Sequence, residues 1–259
     1  MNWKTVVWVG ITVSVGIFSF SMGYAILEGD SASAPTDNDH ITVTEYNLDG
    51  NCIQLSFRDG DIEGLQHSHF MRELNAAMFS HHYITVDDPV LISLVEQIDS
   101  ISEGMDRDSK AELMLRFVQD NIRYHSDMDN WGIPEYYQYP VETLYYGKGD
   151  CEDMAALLYT MYRIAGMDAL MVKGESHIAV GVAMDECSGI DVTPALSNER
   201  FYLAEPTGDM PVGSESLSDI QYTFNPEIAS WGYVFMVLAI ILFFLTYVTL
   251  REEWRGGNE

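Results

Sequence analysis

Two long uncharged runs lie near the ends of the chain and restrict most strongly what it can fold into. Thr5 to Leu27 and Ile228 to Leu250 each comprise 23 residues without a charged side chain. An α-helix of that length reaches about 34 Å, and the hydrocarbon core of a bilayer is about 30 Å thick. Trp231 and Tyr233 lie near one end of the second run, as aromatic residues do in membrane helices. The sequence therefore predicts transmembrane helices over 5–27 and 228–250.

The first run has a second interpretation, as a secretory signal. Ala32-Ser33-Ala34 resembles the small-residue site at which such signals are cut. The apolar stretch is longer than a usual signal core, however, and Pro35 would follow the cut, which disfavours processing. We therefore favour an uncleaved membrane anchor.

Basic residues beside the two runs predict their orientation. Lys4 precedes the first run, and Arg251 and Arg255 follow the second. Because basic residues are enriched on the cytoplasmic side of a membrane, we expect both termini in the cytoplasm and residues 28–228 outside the cell. The sequence thus predicts a two-pass protein of the cell membrane, with the lipid bilayer as a partner.

The overall charge excludes one class of partner. The chain carries 40 acidic and 13 basic residues, which gives a formal net charge of −27. Nucleic-acid binding needs clustered basic residues to displace counterions from phosphate, so nucleic acid is not an expected partner. Because 47% of the residues are apolar, the chain is not a disordered polyelectrolyte, and a packed core is expected between the two runs.

The chain divides into segments, and residue periodicity predicts their secondary structure. Residues 28–39 form a polar linker, 40–107 an N-terminal β-hairpin and helical segment, 108–224 the main domain, and 251–259 a cytoplasmic tail. The hairpin covers His40 to Phe57 around Asp49-Gly50, and its predicted buried residues are Ile41, Val43, Ile53, Leu55 and Phe57.

Helical patterns follow the hairpin. A short helix is indicated around Phe70 to Phe79, a second over Val90 to Ser102, and a third that begins at Asp108 or Ser109. The expected inward-facing residues are Leu91, Leu94, Val95 and Ile98 on the second helix, and Leu113, Phe117, Val118 and Ile122 on the third.

The segment GKGDCED predicts a helix that begins with a cysteine. Asp150 is a natural N-cap, Asp153 occupies the capping-box position, and Gly166 ends the helix. Cys151 then lies at the first helical position, where free backbone N–H groups favour a thiolate. The carboxylates of Asp150, Glu152 and Asp153 oppose this effect unless a cation lies closer. Local features leave both a reactive cysteine and a buried structural cysteine open.

Two or three strands are predicted after this helix, from the segments Ala169–Val172, Ser176–Met184 and Phe201–Thr207. His177 shares a strand face with small residues, which would let a helix approach closely. Glu205 lies in phase with Phe201 and Leu203 on an apolar face, where a carboxylate needs a partner. In chain order, these residues supply a nucleophile, a base and a carboxylate.

The motifs PVETLYYGKGDCED, HIAVGV and YLAEPT resemble those of the transglutaminase-like superfamily of papain-like cysteine enzymes, over about residues 110–213. Among them, the chain is similar to archaeal membrane-anchored transglutaminase-like proteins. The resemblance implies Cys151 as the nucleophile, His177 as the general base and Glu205 as the residue that orients the imidazole. The superfamily more often has Asp at this third position. In some relatives an oxyanion-hole donor lies where Gln138 stands, although a plain loop glutamine is the alternative. The implied fold is α+β, a helix carrying the cysteine packed on an antiparallel sheet.

The implied function is acyl transfer from amide bonds of a protein or peptide through a thioester. Water as acceptor gives a peptidase or amidase, and an amine gives a cross-linking transglutaminase. A non-catalytic binding domain is the alternative of another class. No cofactor is expected, and the oligomeric state stays open.

The remaining histidines and cysteines receive no catalytic role. His67, His69, His81 and His82 match no zinc motif, and surface or interface histidines are the favoured interpretation. No Cys-x-x-Cys pair is present, so no structural zinc site is expected. Outside the cell, Cys52 and Cys187 could pair and leave Cys151 reduced, but spacing alone does not decide this.

Overall fold

A computed structural model describes residues 40–66, 84–214 and 220–226, together with 241–242 and 246–247. The predicted first membrane helix, the linker and the tail lie outside the described residues, as do nearly all of the second membrane helix, the helix around Phe70 to Phe79 and the histidines at 67, 69, 81 and 82. Within the described part of the chain, no helix is both long enough and apolar enough to cross a membrane.

The described elements are mainly a hairpin, several helices and an antiparallel sheet. In chain order they are β1 (Ile41–Leu48), β2 (Asn51–Arg58), α1 (Asp59–Gln66), α2 (Pro89–Ile101), α3 (Arg107–Asn121), β3 (Arg123–Tyr124), α4 (Asp127–Trp131), α5 (Pro140–Tyr146), β4 (Lys148–Gly149), α6 (Cys151–Ile164), β5 (Ala169–Lys173), β6 (Ile178–Ala183), β7 (Phe201–Ala204) and β8 (Tyr222–Phe224). The predicted mixture of helices with an antiparallel sheet is therefore confirmed.

The hairpin β1–β2 turns at Asp49-Gly50 as predicted, but one of its strands faces the other way. Ile53, Leu55 and Phe57 of β2 are buried, whereas Ile41 and Val43 of β1 are each 57% exposed. Directly paired residues of an antiparallel ladder share a face. Because Tyr46 pairs with Ile53 and Thr44 with Leu55, the even-numbered residues of β1 face inward. Tyr46 and Leu48 are the buried residues of this strand.

The two helices that follow pack as their apolar stripes predicted. Leu91, Leu94, Val95 and Ile98 of α2 are all buried, and Asp88 caps this helix by accepting hydrogen bonds from the N–H groups of Val90 and Leu91. The inward residues predicted for α3 are buried too. The start of α3 was placed one or two residues too late, because Asp106 is its N-cap and accepts from the Ser109 N–H at 2.7 Å.

The main sheet has four antiparallel strands in the order β7-β6-β5-β8. Val180 and Val182 of β6 belong to the same apolar core as the buried side of α6. The opposite face of β6 packs in a second, smaller cluster with Val192, Phe201 and Leu203. The prediction that the small residues of β6 let the helix approach was wrong, because Ala179 and Ala183 lie in this second cluster.

Candidate active site

Cys151 lies at the first position of α6, as predicted. Asp150 is the N-cap, and its N–H donates to the Asp153 carboxylate at 3.3 Å, which is one half of the capping box. The buried residues of α6 extend from Cys151 to Tyr162 and anchor the helix in the core. The cysteine is only 9% exposed. The backbone of a well-packed helix therefore sets its position.

The Cys151 thiol has two polar neighbours. It donates to Glu152 Oε2 at 3.1 Å, and the backbone N–H of Ile178, at the start of β6, hydrogen-bonds to it. Burial raises the pKa of the Cys151 thiol to about 12, and the charge of Glu152 adds to this rise. Burial and the neighbouring carboxylate thus outweigh the helix N-terminus, and the thiol is protonated at neutral pH in this arrangement.

His177 and Glu205 are joined by a hydrogen bond at one end of the main sheet. Imidazole Nε2 lies 2.7 Å from Glu205 Oε2. Val180 of β6 pairs with Ala204 of β7, so the chain enters β6 and leaves β7 at the same end of the sheet. His177 immediately precedes β6 and Glu205 immediately follows β7, which brings their side chains together.

The carboxylate of Glu205 is held in its ionised form. The residue is only 5% exposed, and its other carboxylate oxygen accepts from the N–H and hydroxyl of Thr207 at 3.0 and 2.6 Å. Burial alone would raise the pKa of Glu205, but the hydrogen bonds from His177 and Thr207 outweigh it and lower the pKa. A charged carboxylate in this position can stabilise a protonated imidazole.

Two of the three predicted residues, His177 and Glu205, contact each other, and Cys151 lies beside the backbone of the residue that follows His177. The Ile178 N–H that reaches the thiol belongs to the residue after His177, so Cys151 and His177 lie at the same end of β6. Glu205 occupies Nε2 of the imidazole, which leaves Nδ1 as the nitrogen for the thiol proton. Among the described residues, however, the thiol donates to Glu152 rather than to His177.

Gln138 forms structural hydrogen bonds with Asp153 and Lys148. It is 1% exposed, and its Nε2 donates to Asp153 Oδ2 at 2.5 Å and to the Lys148 carbonyl at 3.2 Å. Its backbone N–H donates to the other Asp153 oxygen at 2.8 Å. Gly149 fits beside this contact because a Cβ there would come within 2.7 Å of the Asp153 side chain. Both amide hydrogens of Gln138 are therefore engaged with protein acceptors.

A carboxylate cluster beside Cys151 is the feature that could not be found from the sequence. Asp127 at the start of α4 and Glu135 in the next loop join the acidic residues of the Asp150–Asp153 segment. Burial raises the pKa of Asp127 to about 6. Burial, together with the charges of Asp153 and Glu152, raises that of Asp150 to about 9. Burial also raises the pKa of Asp153 well above its usual value, against the hydrogen bonds from Gln138.

Carboxylate oxygens of this cluster lie close enough to share a cation. Asp127, Asp150 and Asp153 form one group with ligand atoms within 4.8 Å of one another, and Asp127, Glu135 and Glu152 form another. The only signal in the sequence was the run of acidic residues around Cys151. The two members from residues 127–135 have no local motif that marks them.

All three cysteines are free thiols in the structure. Cys52 is exposed, and Cys187 is partly buried. The Cys187 thiol donates to the Val212 carbonyl at 3.6 Å. The possible pairing of Cys52 with Cys187 is therefore absent from this structure.

Comparison with known proteins finds one family and several solved structures. Residues 94–185 match the family model of the transglutaminase-like superfamily. LapG of Legionella pneumophila, EGTA-treated, is 18% identical over 51% of this chain and 81% of its own, with a TM-score of 0.34. A candidate protease of Parabacteroides distasonis is 11% identical over 70% of this chain and 36% of its own, with a TM-score of 0.35.

A protein described as a TGase is 15% identical over 70% of this chain and 47% of its own, with a TM-score of 0.35. No curated protein matches the chain. The matched segment includes α6 with Cys151 and strands β5 and β6. Over residues 94–185, the chain is therefore similar to the transglutaminase-like superfamily.

Proposed function

We propose that this chain is a cysteine-dependent enzyme that acts on amide bonds of proteins or peptides, chiefly as a thiol peptidase or amidase. Cys151 is the nucleophile, His177 the general base and Glu205 the residue that orients and charges the imidazole. The observation that carries the proposal is the 2.7 Å bond between His177 and a buried, ionised Glu205, beside the helix start that presents Cys151. A histidine oriented in this way is what nucleophilic catalysis by cysteine requires.

The reaction begins when the Cys151 thiol turns from Glu152 to His177 and gives its proton to imidazole Nδ1. The thiolate attacks the amide carbonyl carbon, a C–S bond forms, and backbone N–H groups at the start of α6 stabilise the oxyanion. The C–N bond then breaks, and the imidazolium gives its proton to the leaving amine. Glu205 stabilises the imidazolium between these two proton transfers. Water attacks the thioester and releases the acid and the thiol.

Water is the acceptor that we favour over an amine. Its concentration is about 55 M, so hydrolysis dominates unless a pocket binds an amine preferentially. The alternative outcome of the same chemistry is a cross-linking transglutaminase, in which an amine resolves the thioester.

A partition assay tests the proposal and separates the two outcomes. The full-length protein is incubated with a denatured, glutamine-rich protein and a fluorescent primary amine, and new peptide ends, released ammonia and amine incorporation are all quantified. We expect peptide ends or ammonia to exceed incorporated amine. Incorporation as the main product would favour the transglutaminase, and no product of any kind would contradict an enzyme.

A non-catalytic binding domain is the alternative function of a different class. The thiol is protonated and donates to Glu152, an arrangement that suits a binding domain as well as a resting enzyme. A binding domain would retain ligand affinity when Cys151 is replaced, whereas an enzyme would lose turnover.

We further propose that the domain is held at the outer face of the cell membrane, with both termini in the cytoplasm. The support is the pair of 23-residue uncharged runs and the basic residues Lys4, Arg251 and Arg255 beside them. A phosphatase reporter, active only outside the cytoplasm, should be inactive when fused after Glu259 and active when inserted in the exposed loop at Leu196. Activity of the fusion after Glu259 would contradict this orientation.

A further inference from the structure

The main sheet has two ends, and the candidate active site occupies one of them. His177 immediately precedes β6, whose first residue pairs with Lys173 of β5. β8 runs from Tyr222, which also pairs with Lys173, to Phe224, which pairs with Met171. The chain therefore leaves β8 toward the end of the sheet opposite to His177. At about 3.3 Å per residue, the six residues of β6 separate the two ends by about 20 Å.

The opposite end of the sheet is apolar. A groove of about 410 Å³ opens there, and its lining includes Ala169, Leu170, Pro194, Phe201 and Phe224. The loop of residues 194–198 forms one wall, and this loop carries no charge. Leu196 in the loop is 98% exposed, the largest value among the large apolar side chains that the structure describes. The groove and this loop together are the apolar end of the sheet.

The covalent connection to the proposed second membrane helix is short at this end. Asn225 lines the groove, and the uncharged run begins three residues later, at Ile228. Because an extended chain spans at most about 3.6 Å per residue, Asn225 lies within about 11 Å of the start of that run. The other connection sets no such limit, since the thirteen residues from Leu27 to His40 can span up to about 47 Å. The short connection therefore decides which side of the domain faces the membrane.

We propose that the apolar end of the sheet rests on the lipid bilayer, with Leu196 inserted among the lipid headgroups and the candidate active site facing away from the membrane. The proposal rests on the membrane anchor proposed above and does not depend on the proposed activity. It adds an orientation to that anchor: the His177 end of the sheet lies up to about 20 Å farther from the bilayer than the apolar end.

The charge and exposure of this surface fit lipid. A single exposed leucine is ordinary on a protein surface, but this one borders an apolar groove at the short connection to the membrane. The formal net charge of −27 opposes attraction to anionic surfaces, so the contact relies on burial of apolar area at the headgroup boundary. Asp191 and Glu199 flank the loop and are exposed, which limits the depth of insertion to the segment between them.

The orientation has a consequence for substrates. An active site about 20 Å above the apolar end is out of reach of peptide bonds that lie close to the headgroups. Combined with the proposed activity, the orientation restricts the substrates to protein segments that extend well outside the lipid.

Lipid quenching of a fluorescent label tests the orientation in the full-length protein. The native thiols are removed by Cys52→Ser, Cys151→Ala and Cys187→Ser. A single cysteine is then introduced by Leu196→Cys or, as the matched control, by Glu175→Cys. Glu175 is also exposed, and it lies in the turn between β5 and β6 at the other end of the same sheet. Each variant is labelled with nitrobenzoxadiazole and reconstituted in phosphatidylcholine vesicles with or without a nitroxide on the acyl chains.

We expect the nitroxide to quench the label at residue 196 at least about twofold and to leave the label at residue 175 unquenched, with the emission of a water-exposed dye. Flotation of the vesicles reports the anchor separately. If the protein floats with the vesicles and the label at residue 196 is not quenched, the anchor stands and the orientation is overturned. Equal quenching at both positions overturns the orientation as well.

Two other outcomes would also contradict the proposal. A label at residue 196 that is shielded from water only at high protein density, without quenching by the nitroxide, would show that a second copy of the chain covers the groove. Protein that does not float with the vesicles would contradict the anchor and the orientation together, and would leave the proposed activity unaffected.

Discussion

Replacing Cys151 by alanine is expected to lower kcat/KM for amide hydrolysis at least about 10³-fold and to leave the fold intact, because a nucleophile has no substitute in covalent catalysis. The helix start should survive, because Asp150 and Asp153 supply its cap and alanine is a good helix former. Steady-state kinetics on a peptide substrate measure the loss, and circular dichroism checks the fold. Activity-based proteomics with wild type and Cys151→Ala then identifies the substrates.

Replacements of His177 and Glu205 should also lower kcat/KM, but by different amounts. His177→Ala removes the proposed base and should lower kcat/KM about as much as Cys151→Ala. Glu205→Gln should cost less, about 10- to 100-fold, because an amide still orients the imidazole but no longer stabilises its positive charge. Cys52→Ala is the matched control, since Cys52 is an exposed free thiol on the hairpin. A Cys151→Ala variant that keeps a tenth of the wild-type rate would contradict the nucleophile assignment.

Local signals predicted the three longest described helices, α2, α3 and α6, but not the shorter helices α1, α4 and α5. The four buried residues of α2 and the first position of α6 follow from helical periodicity and from capping residues, which act over a few neighbouring positions. The His177–Glu205 contact was anticipated from chain order and from the resemblance to a family. Such a contact depends on the pairing of β6 with β7, which no single segment encodes.

The predictions that were wrong or missing concern residues whose orientation or neighbours depend on tertiary contacts. Alternation in β1 permits either face, and pairing with β2 selects Tyr46 and Leu48. Small residues on β6 allow a close neighbour without specifying which one, and the neighbour is the loop carrying Val192 rather than α6. Asp127 and Glu135 lie near Cys151 because of the course that the chain takes from α4 to α5. The carboxylate cluster could therefore not be predicted from the spacing of residues in the sequence.

Asp153 joins the N-cap of α6 to the loop at Gln138, because it accepts hydrogen bonds from both. It should be the polar residue whose loss destabilises the domain most. It is 1% exposed, and its two oxygens accept from the backbone N–H of Gln138, from Gln138 Nε2 and from the Asp150 N–H. Asp153→Ala would leave these donors buried without an acceptor. Because each unsatisfied buried group costs about 1–3 kcal/mol, we expect the free energy of unfolding to fall by about 3 kcal/mol or more.

Two further variants distinguish this hydrogen bonding from loss of charge. Asp153→Asn should cost less than Asp153→Ala, because the Gln138 amide can turn its unpartnered Oε1 toward the new NH₂ group. Asp120→Ala, at an exposed position of α3, should change the free energy of unfolding by less than about 0.5 kcal/mol. Urea unfolding followed by tryptophan fluorescence gives all three values. If Asp153→Ala were no less stable than Asp120→Ala, Asp153 would not hold the Gln138 loop against α6, and the position of Cys151 would depend on the apolar packing of the helix alone.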